Sequence, residues 1–220
     1  MTDLIRILVV DDHMVVREGL CALLIPYNGM EVVGEAADGA EAVEKARLLQ
    51  PDVILMDLNL PVKSGLEAIV EIIQENPQAR ILVLTSYDEE SKLSAALKAG
   101  ALGYIIKNSS APELFHAIRG VAMGNLSVSP DSTQVLLQNL RQSDISPSAS
   151  LSALTERELD VLHGLAQGQS DQDIAKTLNI EKTTVRSHIK SILNKLELEN
   201  RTQAALYAVG MDLGRSKGKS

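Results

Sequence analysis

Five short runs of apolar residues alternate with stretches of helical periodicity in the first 124 residues. The runs lie at 5–10, 31–36, 52–57, 80–86 and 103–107, and the helical stretches at 15–25, 40–49, 65–75, 90–99 and 112–123. Most runs are too continuously apolar for a sheet with one face in water, which is typical of parallel strands covered on both sides. The alternation predicts an α/β domain with a doubly wound, five-stranded parallel sheet. In the first helix, one buried stripe is expected to contain Val15, Leu20, Leu23 and Leu24.

The composition excludes several classes of protein. Of the 220 residues, 45% are hydrophobic and 23% are charged, and no uncharged apolar run approaches the roughly 18 residues of a membrane span. The first residues lack the basic, apolar and cleavage segments of a secretory signal. A single cysteine, Cys21, excludes a disulfide framework, and four scattered histidines disfavour a zinc site. We expect a cytoplasmic protein with no membrane partner.

The negative charge is concentrated in the first part of the chain. Residues 1–150 carry 11 basic and 20 acidic side chains, whereas residues 151–220 carry 10 and 9. This asymmetry indicates two modules with different partners. In the second module, Thr155 and Ser170 each begin a sequence that resembles a helix capping box. Four helices are predicted there, at 156–167, 171–178, 182–196 and 201–213.

The two modules are predicted to be joined by residues 125–152. Ser129 and Pro130 have the pattern of a helix start, and the apolar spacing that follows predicts a short helix ending near Arg141. The serine-rich stretch 142–152 has the composition of a flexible connector. The predicted organisation is therefore a first domain at 1–124, this helix and connector, an all-α domain at 153–214 and a basic tail at 215–220.

Polar side chains follow four of the five apolar runs. Asp11 and Asp12 follow the first run, and the others end in Asp57, Thr85 with Ser86, and Lys107. In doubly wound sheets, ligands bind at the edge where the carboxyl ends of the strands meet. Carboxylates that converge without a thiol or histidine partner favour Mg²⁺, and a lysine with a hydroxyl suits phosphate oxygens. Any one of these residues could be a helix cap or a solvated charge, but together they predict a phosphoryl site.

The acidic pair and the strings DLNLP, LTS and GYIIK resemble the receiver domain of two-component response regulators, over about residues 3–124. The resemblance implies a flavodoxin-like fold in which Asp57 accepts a phosphoryl group from a sensor histidine kinase. Mg²⁺ would be held by Asp12, Asp57 and the backbone carbonyl of Asn59, with Asp11 orienting its waters. Thr85 would bond the phosphoryl oxygen, Lys107 would pair with it, and Tyr104 would turn inward on activation.

Two features depart from that family's usual pattern or leave it open. Asn108 stands where many receivers have a proline after the lysine of the fifth strand, so the geometry of that peptide bond is open. Asn59 and Tyr87 occupy positions that tune the access of water to the phosphoryl group in receivers. The lifetime of the phosphoryl group is therefore left open as well.

Residues 155–210 resemble the LuxR-type helix-turn-helix of the NarL/FixJ group of regulators. The matching strings are LTERELDVL, GQSDQDIAKTLNIEKTTVRSHIKSILNKL and RTQAALYA. Between residues 182 and 196 there is no acid, and the basic residues there are Lys182, Arg186, Lys190 and Lys195. A solvated charged helix would have the same composition, but the capping boxes and the matching strings favour DNA binding.

The resemblance assigns individual DNA contacts. Arg186, Ser187 and Lys190 would reach base edges. His188 and Lys195 would lie near the backbone, and Thr183 and Thr184 would hold a phosphate at the helix N-terminus. Asp171 and Asp173 stand where members of the family often carry Asn and Glu, and we expect these acids to weaken phosphate contacts from the scaffold helix.

The resemblance also implies the partners: a sensor histidine kinase, promoter DNA, a second copy of the chain and, for an activator, RNA polymerase. Dimerisation would use the last helix, where Ala204, Ala205, Ala208 and Val209 offer a small-residue surface, unless these residues pack inside the domain.

Two alternatives for the function stay open. One is a haloacid-dehalogenase-like phosphatase, which would instead carry DxDxT after its first strand. The other is a receiver that only docks proteins and is never phosphorylated. We interpret the chain as a phosphorylation-dependent transcriptional regulator and not as an enzyme.

Overall fold

The computed structural model describes residues 4–85, 90–127, 151–211 and 213. Two compact units are present, Met1–Ala122 and Met123–Ser220. The predicted short helix at 130–141, most of the serine-rich connector and the basic tail lie outside the described residues. No helix in the described part of the chain is long and apolar enough to cross a membrane.

The first unit is a five-stranded parallel sheet with helices between its strands, as the sequence predicts. Its strands are β1 (Ile5–Val10), β2 (Met30–Ala36), β3 (Val53–Asp57), β4 (Ile81–Thr85) and β5 (Gly103–Ile106). Its helices are α1 (Met14–Leu23), α2 (Gly39–Leu49), α3 (Gly65–Glu75), α4 (Glu90–Lys98) and α5 (Ala111–Met123), with a 3-10 turn at Pro26–Asn28. The spatial order of the strands is β2-β1-β3-β4-β5, and all pairs are parallel.

The strand order places the candidate phosphoryl site at the centre of the sheet. Every residue of β3 and β4 is buried, which explains why these runs are continuously apolar. β1 and β3 are neighbours, with Val10 opposite Met56, so the residues that follow them emerge side by side. A Cβ on Gly65, at the start of α3, would lie 2.0 Å from the backbone oxygen of Asp57. Glycine therefore allows α3 to begin directly against the end of β3.

The predicted apolar stripe of α1 is wrong in part. Val15 is 80% exposed and Leu23 is 41% exposed, whereas Leu20 packs against the core and Leu24, just after the helix, is buried. No residue of α1 itself is buried. The periodicity was correct for a helix, but α1 lies on the sheet through a narrower contact than its apolar residues suggest.

The second unit contains four helices and a short 3-10 turn at Leu151–Ala153. The helices are α6 (Glu156–Ala166), α7 (Asp171–Leu178), α8 (Lys182–Leu196) and α9 (Arg201–Gly210). Thr155 caps α6 in a full capping box with Glu158, and the Ser170 hydroxyl caps α7 by accepting from the Asp173 N–H. α6 packs against α8 and α9, and α7 packs against α8. The α7–α8 pair is a helix-turn-helix, because only three residues separate the two helices.

The core of this unit includes side chains that the sequence left ambiguous. Ala204, Ala205 and Ala208 are at most 1% exposed and pack in the core with Val161 and Ile192. The alternative that these alanines lie inside the domain is therefore correct, and they do not form a dimerisation surface, whereas Val209 is half-buried.

The residues that follow α5 also pack within the second unit. Leu126 lies against the core of this unit, and its N–H is 3.4 Å from the carbonyl oxygen of Gly168. The beginning of the predicted connector is therefore in contact with the helical module.

Candidate functional site

Two buried aspartates and a lysine meet at the carboxyl edge of the sheet. Asp11 follows β1 and is fully buried, and Asp57 ends β3 and is 2% exposed. The Nζ atom of Lys107, which follows β5, lies 2.9 Å from Asp57 Oδ2 and 2.8 Å from Asp11 Oδ2. The backbone N–H of Lys107 donates to the carbonyl oxygen of Thr85 at 2.8 Å. A single ammonium thus faces two buried carboxylates, and this arrangement leaves the pocket with a net negative charge.

The acidic pocket extends to its rim through two more side chains. Ligand atoms of Asp11, Asp12, His13 and Asp57 all lie within 4.8 Å of one another. His13 Nδ1 is 2.6 Å from Asp12 Oδ1, and the exposed fractions of these side chains are 67% for His13 and 34% for Asp12. The Asp11 carboxylate is buried, and its Oδ2 atom lies 2.8 Å from the Lys107 ammonium. Three carboxylates gathered at one edge of the sheet give the oxygen-rich environment that a divalent cation requires.

Burial and charge perturb the protonation of this pocket. Burial is the largest influence on Asp57 and raises its pKa, and the hydrogen bond from Lys107 offsets this rise only in part. Burial acts in the opposite sense on Lys107, but its contacts with Asp11 and Asp57 outweigh burial and raise the pKa of the ammonium. The lysine therefore stays charged, but its charge alone does not offset the cost of burying the ionised Asp57 carboxylate. A second positive charge beside Asp57 would stabilise the ionised form further.

The remaining receiver residues lie on β4, on β5 and shortly after β3. Thr85 ends β4 and is 4% exposed. Tyr104, half-buried on β5, is in register with Val83 of β4. The side-chain oxygen of Asn59 accepts a hydrogen bond from the Lys92 ammonium of α4, a contact that the sequence did not predict. No peptide bond among the described residues is cis, so the bond between Lys107 and Asn108 is trans. Ser86 and Tyr87 lie outside the described residues.

A second candidate surface is the outer face of α8. The exposed side chains are Lys182, Thr183, Arg186, Ser187 and Lys190, while Thr184 and His188 are half-buried. The opposite face of the helix holds Val185, Ile189, Ile192 and Leu196 in the core. Lys182, Arg186 and Lys190 are spaced by four residues and therefore lie along one side of the helix. The N-cap residue Glu181 makes no side-chain hydrogen bond to the first turn.

Two of the four basic residues of α8 have acidic partners within the domain. Lys195 Nζ lies 2.7 Å from Glu158 Oε2 of α6, and Glu158 is 4% exposed. Arg186 Nε lies 3.2 Å from Asp171 Oδ2 at the start of α7. The other oxygen of Asp171 is bound by Arg201 of α9 at 2.5 Å.

Comparison with known proteins assigns both units. The sequence model of the response regulator receiver domain matches residues 7–119, and that of the luxR family of bacterial regulatory proteins matches residues 152–208. The transcriptional regulatory protein LiaR of Bacillus subtilis (strain 168) is 42% identical over 205 residues, which cover 93% of this chain and 97% of LiaR. The chain belongs to the family of DNA-binding response regulators. Members of this family are transcriptional regulators and not enzymes, so the phosphatase alternative is wrong.

Solved structures of response regulators agree with this assignment. ChrA, the response regulator of a heme-sensing two-component system, is 31% identical, with a TM-score of 0.53 over 96% of this chain and 99% of ChrA. A structure of two RcsB dimers bound to two parallel DNAs is 27% identical, with a TM-score of 0.54 over 94% of this chain and 98% of RcsB. The receiver and LuxR-type domains imply a kinase and DNA as partners of this response regulator.

One of the expected phosphate contacts of this response regulator, Lys195, has a partner inside its own domain. The Lys195 ammonium is paired with Glu158, and the Lys195 side chain is 35% exposed. Ser191 Oγ also donates to Glu158, at 2.6 Å. Lys195 therefore joins α8 to α6, and its contact with a DNA phosphate stays a prediction.

The role expected for Asp171 is also incomplete. The sequence suggested only that this acid weakens phosphate contacts, whereas the structure shows it bound to two arginines, one of them on α8. Both Glu158 and Asp171 were missed as ion-pair residues because their partners are 15 or more positions away in the sequence. Ser191 and Lys195 can both donate to a carboxylate and are four residues apart on one face of α8. This spacing is the sequence signal that could have indicated a partner for Glu158.

Proposed function

We propose that this response regulator is phosphorylated on Asp57 by a sensor histidine kinase, and that the phosphoryl group controls dimerisation and promoter binding. The observation that carries the proposal is the buried Asp57 carboxylate, paired with Lys107 at 2.9 Å beside the acidic pair of β1. A carboxylate nucleophile needs positive charge close by to accept a phosphoryl group. Because promoter DNA is one partner, we also propose that the protein acts in the cytoplasm.

The chemistry of the first step follows from the residues around Asp57. We propose that Mg²⁺ is held by Asp12, Asp57 and the backbone carbonyl of Asn59, with Asp11 orienting its waters. The ion, when bound, neutralises charge on the transferring phosphoryl oxygens. An Asp57 carboxylate oxygen attacks phosphorus as the bond between phosphorus and the histidine nitrogen breaks, and the electron pair leaves with that nitrogen.

Two residues would then hold the product. Lys107 already pairs with Asp57, so its ammonium is positioned to pair with a phosphoryl oxygen on the same carboxylate. The Thr85 hydroxyl, at the end of the adjacent strand, would donate to another. Tyr104 would turn inward as this contact forms, and its movement would change the surface of β5 in response to phosphorylation.

DNA binding would use the outer face of α8 in the major groove. The proposed base contacts come from Arg186, Ser187 and Lys190, and the proposed backbone contacts from Lys182, Thr183, Thr184, His188 and Lys195. The exposure of most of these side chains and the absence of any acid within α8 support this. A dimer would favour an inverted repeat, because its two-fold symmetry is imposed on the site. For an activator, RNA polymerase would be a further partner.

Phosphodonor labelling tests the proposal. Wild-type protein with acetyl phosphate and Mg²⁺ should shift on a phosphate-affinity gel, and Asp57→Asn should not. Asp52→Asn is the matched control, because Asp52 directly precedes β3, away from the pocket, and accepts a hydrogen bond from the Arg6 N–H. Labelling that survives in Asp57→Asn would assign the nucleophile elsewhere, and a wild-type protein that is never labelled would favour a receiver that only docks proteins.

A further inference from the structure

Asp171 lies between the DNA-facing helix and the rest of its domain. It is the first residue of α7, is 7% exposed, and uses its two carboxylate oxygens for two different arginines. One arginine, Arg201, is on α9, and the other, Arg186, is on the exposed face of α8. We propose that Asp171 is a positioning residue for DNA reading, which fixes the Arg186 guanidinium in the orientation that discriminates between bases.

The carboxylate can act as an anchor because it is itself fixed. Arg201 Nη1 lies 2.5 Å from Asp171 Oδ1, and Arg201 Nη2 donates to the carbonyl oxygen of Gln169 at 2.7 Å. The Asp171 side chain therefore cannot follow Arg186 as that arginine moves. Its negative charge also lies in the first turn of α7, where the helix dipole favours an acid.

The geometry of the second contact leaves the reading edge of Arg186 available. Asp171 Oδ2 accepts from Nε, and the Nη1 and Nη2 atoms have no partner within the described residues. The Arg186 side chain is 44% exposed. A guanidinium reads guanine by donating two parallel hydrogen bonds, and such recognition depends on the plane of the group being held. Restricting the side chain before binding also lowers the entropy that is lost on binding.

This inference rests on the proposed contact between Arg186 and a base, and one set of variants separates the two. The probes are a duplex selected from random sequences by the wild-type full chain and a scrambled duplex of equal composition. Arg186→Ala should lower the affinity for the selected duplex about tenfold or more and should change the affinity for the scrambled duplex much less. Asp171→Asn should lower the affinity for the selected duplex about fivefold and should keep the affinity for the scrambled duplex within about twofold of wild type. The reason is that Arg186 keeps its charge but loses its orientation.

The matched control is Asp173→Asn, which removes the same charge from the same helical turn. Asp173 accepts from the Ser170 hydroxyl and, in the part of the chain that the structure describes, forms no ion pair with an arginine. This variant should not lower the ratio of the two affinities, so a change in long-range repulsion is separated from a change in positioning. Asp171→Glu retains a carboxylate for Arg201 but displaces it by one methylene, and it should reproduce the selectivity loss of Asp171→Asn in a domain with an unchanged thermal midpoint.

The decisive comparison is the double variant. If Asp171 acts through Arg186, adding Asp171→Asn to Arg186→Ala should cause no further loss on the selected duplex. The positioning role would be overturned if Asp171→Asn lowered the affinity for both duplexes equally. It would also be overturned if Asp171→Asn lowered the affinity for the selected duplex as much in the Arg186→Ala background as in the wild type. If Arg186→Ala itself has no selective effect, the base contact of the proposed function fails, and the inference fails with it.

Discussion

Replacing Glu158 with glutamine should destabilise the DNA-binding unit by an amount that depends on pH. Glu158 is buried and accepts from Lys195 at 2.7 Å, from Ser191 at 2.6 Å, and from the Thr155 N–H at 2.7 Å. Burial opposes its ionisation, but these hydrogen bonds prevail and lower its pKa from 4.5 to about 2. At about 1.4 kcal/mol per pKa unit, this lowering corresponds to at most about 3.5 kcal/mol of folding stability.

The sign and the pH range follow from the lowered pKa. A carboxyl group with a lower pKa in the folded state contributes its full stabilisation above its unfolded value of 4.5 and loses it as the pH falls toward about 2. Because Lys195 is 35% exposed, water screens the ion pair and solvates the ammonium of Lys195 when Glu158 is replaced. We therefore expect Glu158→Gln to cost about 2 kcal/mol at pH 7 and less than half of that at pH 3.

Hydrogen–deuterium exchange of the full chain can measure this loss in α6 and α8 directly. About 2 kcal/mol corresponds to about a 30-fold loss of amide protection in peptides from these helices. Glu156→Gln is the control, since Glu156 is exposed in the same helical turn, and it should change stability by less than about 0.5 kcal/mol. A loss below about threefold at pH 7, or a loss of equal size at pH 3, would refute the reasoning.

Three predictions concern the phosphoryl site. Asp57→Asn should raise the thermal midpoint of the receiver in EDTA, because a raised pKa means that folding disfavours the ionised carboxylate at neutral pH; an unchanged or lower midpoint in calorimetry would contradict this. Mg²⁺ affinity, measured by calorimetric titration, should fall as the pH drops through the raised pKa of Asp57, and Asp12→Ala should weaken it without unfolding the domain. Lys107→Ala should retain much of the phosphorylation but lose phosphorylation-dependent dimerisation; dimerisation that is unchanged in light scattering would exclude this role for the lysine.

The sequence was sufficient to predict the strands and helices of the fold and the residues of the central pocket. Continuous apolar runs predicted buried parallel strands, and the carboxyl ends of parallel strands meet at one edge. Asp11, Asp57 and Lys107 could therefore be placed together although 46 and 50 residues separate them. This inference needed no knowledge of side-chain packing.

Contacts that depend on how helices pack were not predictable in the same way. Val15 matches the apolar period of α1 but is exposed, because periodicity defines a face without defining how far the sheet covers it. Ala204 could have served a surface or a core, since alanine fits both, and only the approach of α6 decides between them. Lys195 has the charge of a phosphate contact, but its distance from Glu158 depends on the packing of α8 against α6.

The most direct test of the central claim is the affinity of the full chain for its selected DNA site with and without phosphorylation. With acetyl phosphate and Mg²⁺, the wild type should bind about tenfold more tightly, a coupling of about 1.4 kcal/mol, and should do so as a dimer. Asp57→Asn should bind with the unphosphorylated affinity under both conditions. An equal gain in Asp57→Asn, or no gain in a wild-type sample that is fully phosphorylated, would contradict the account.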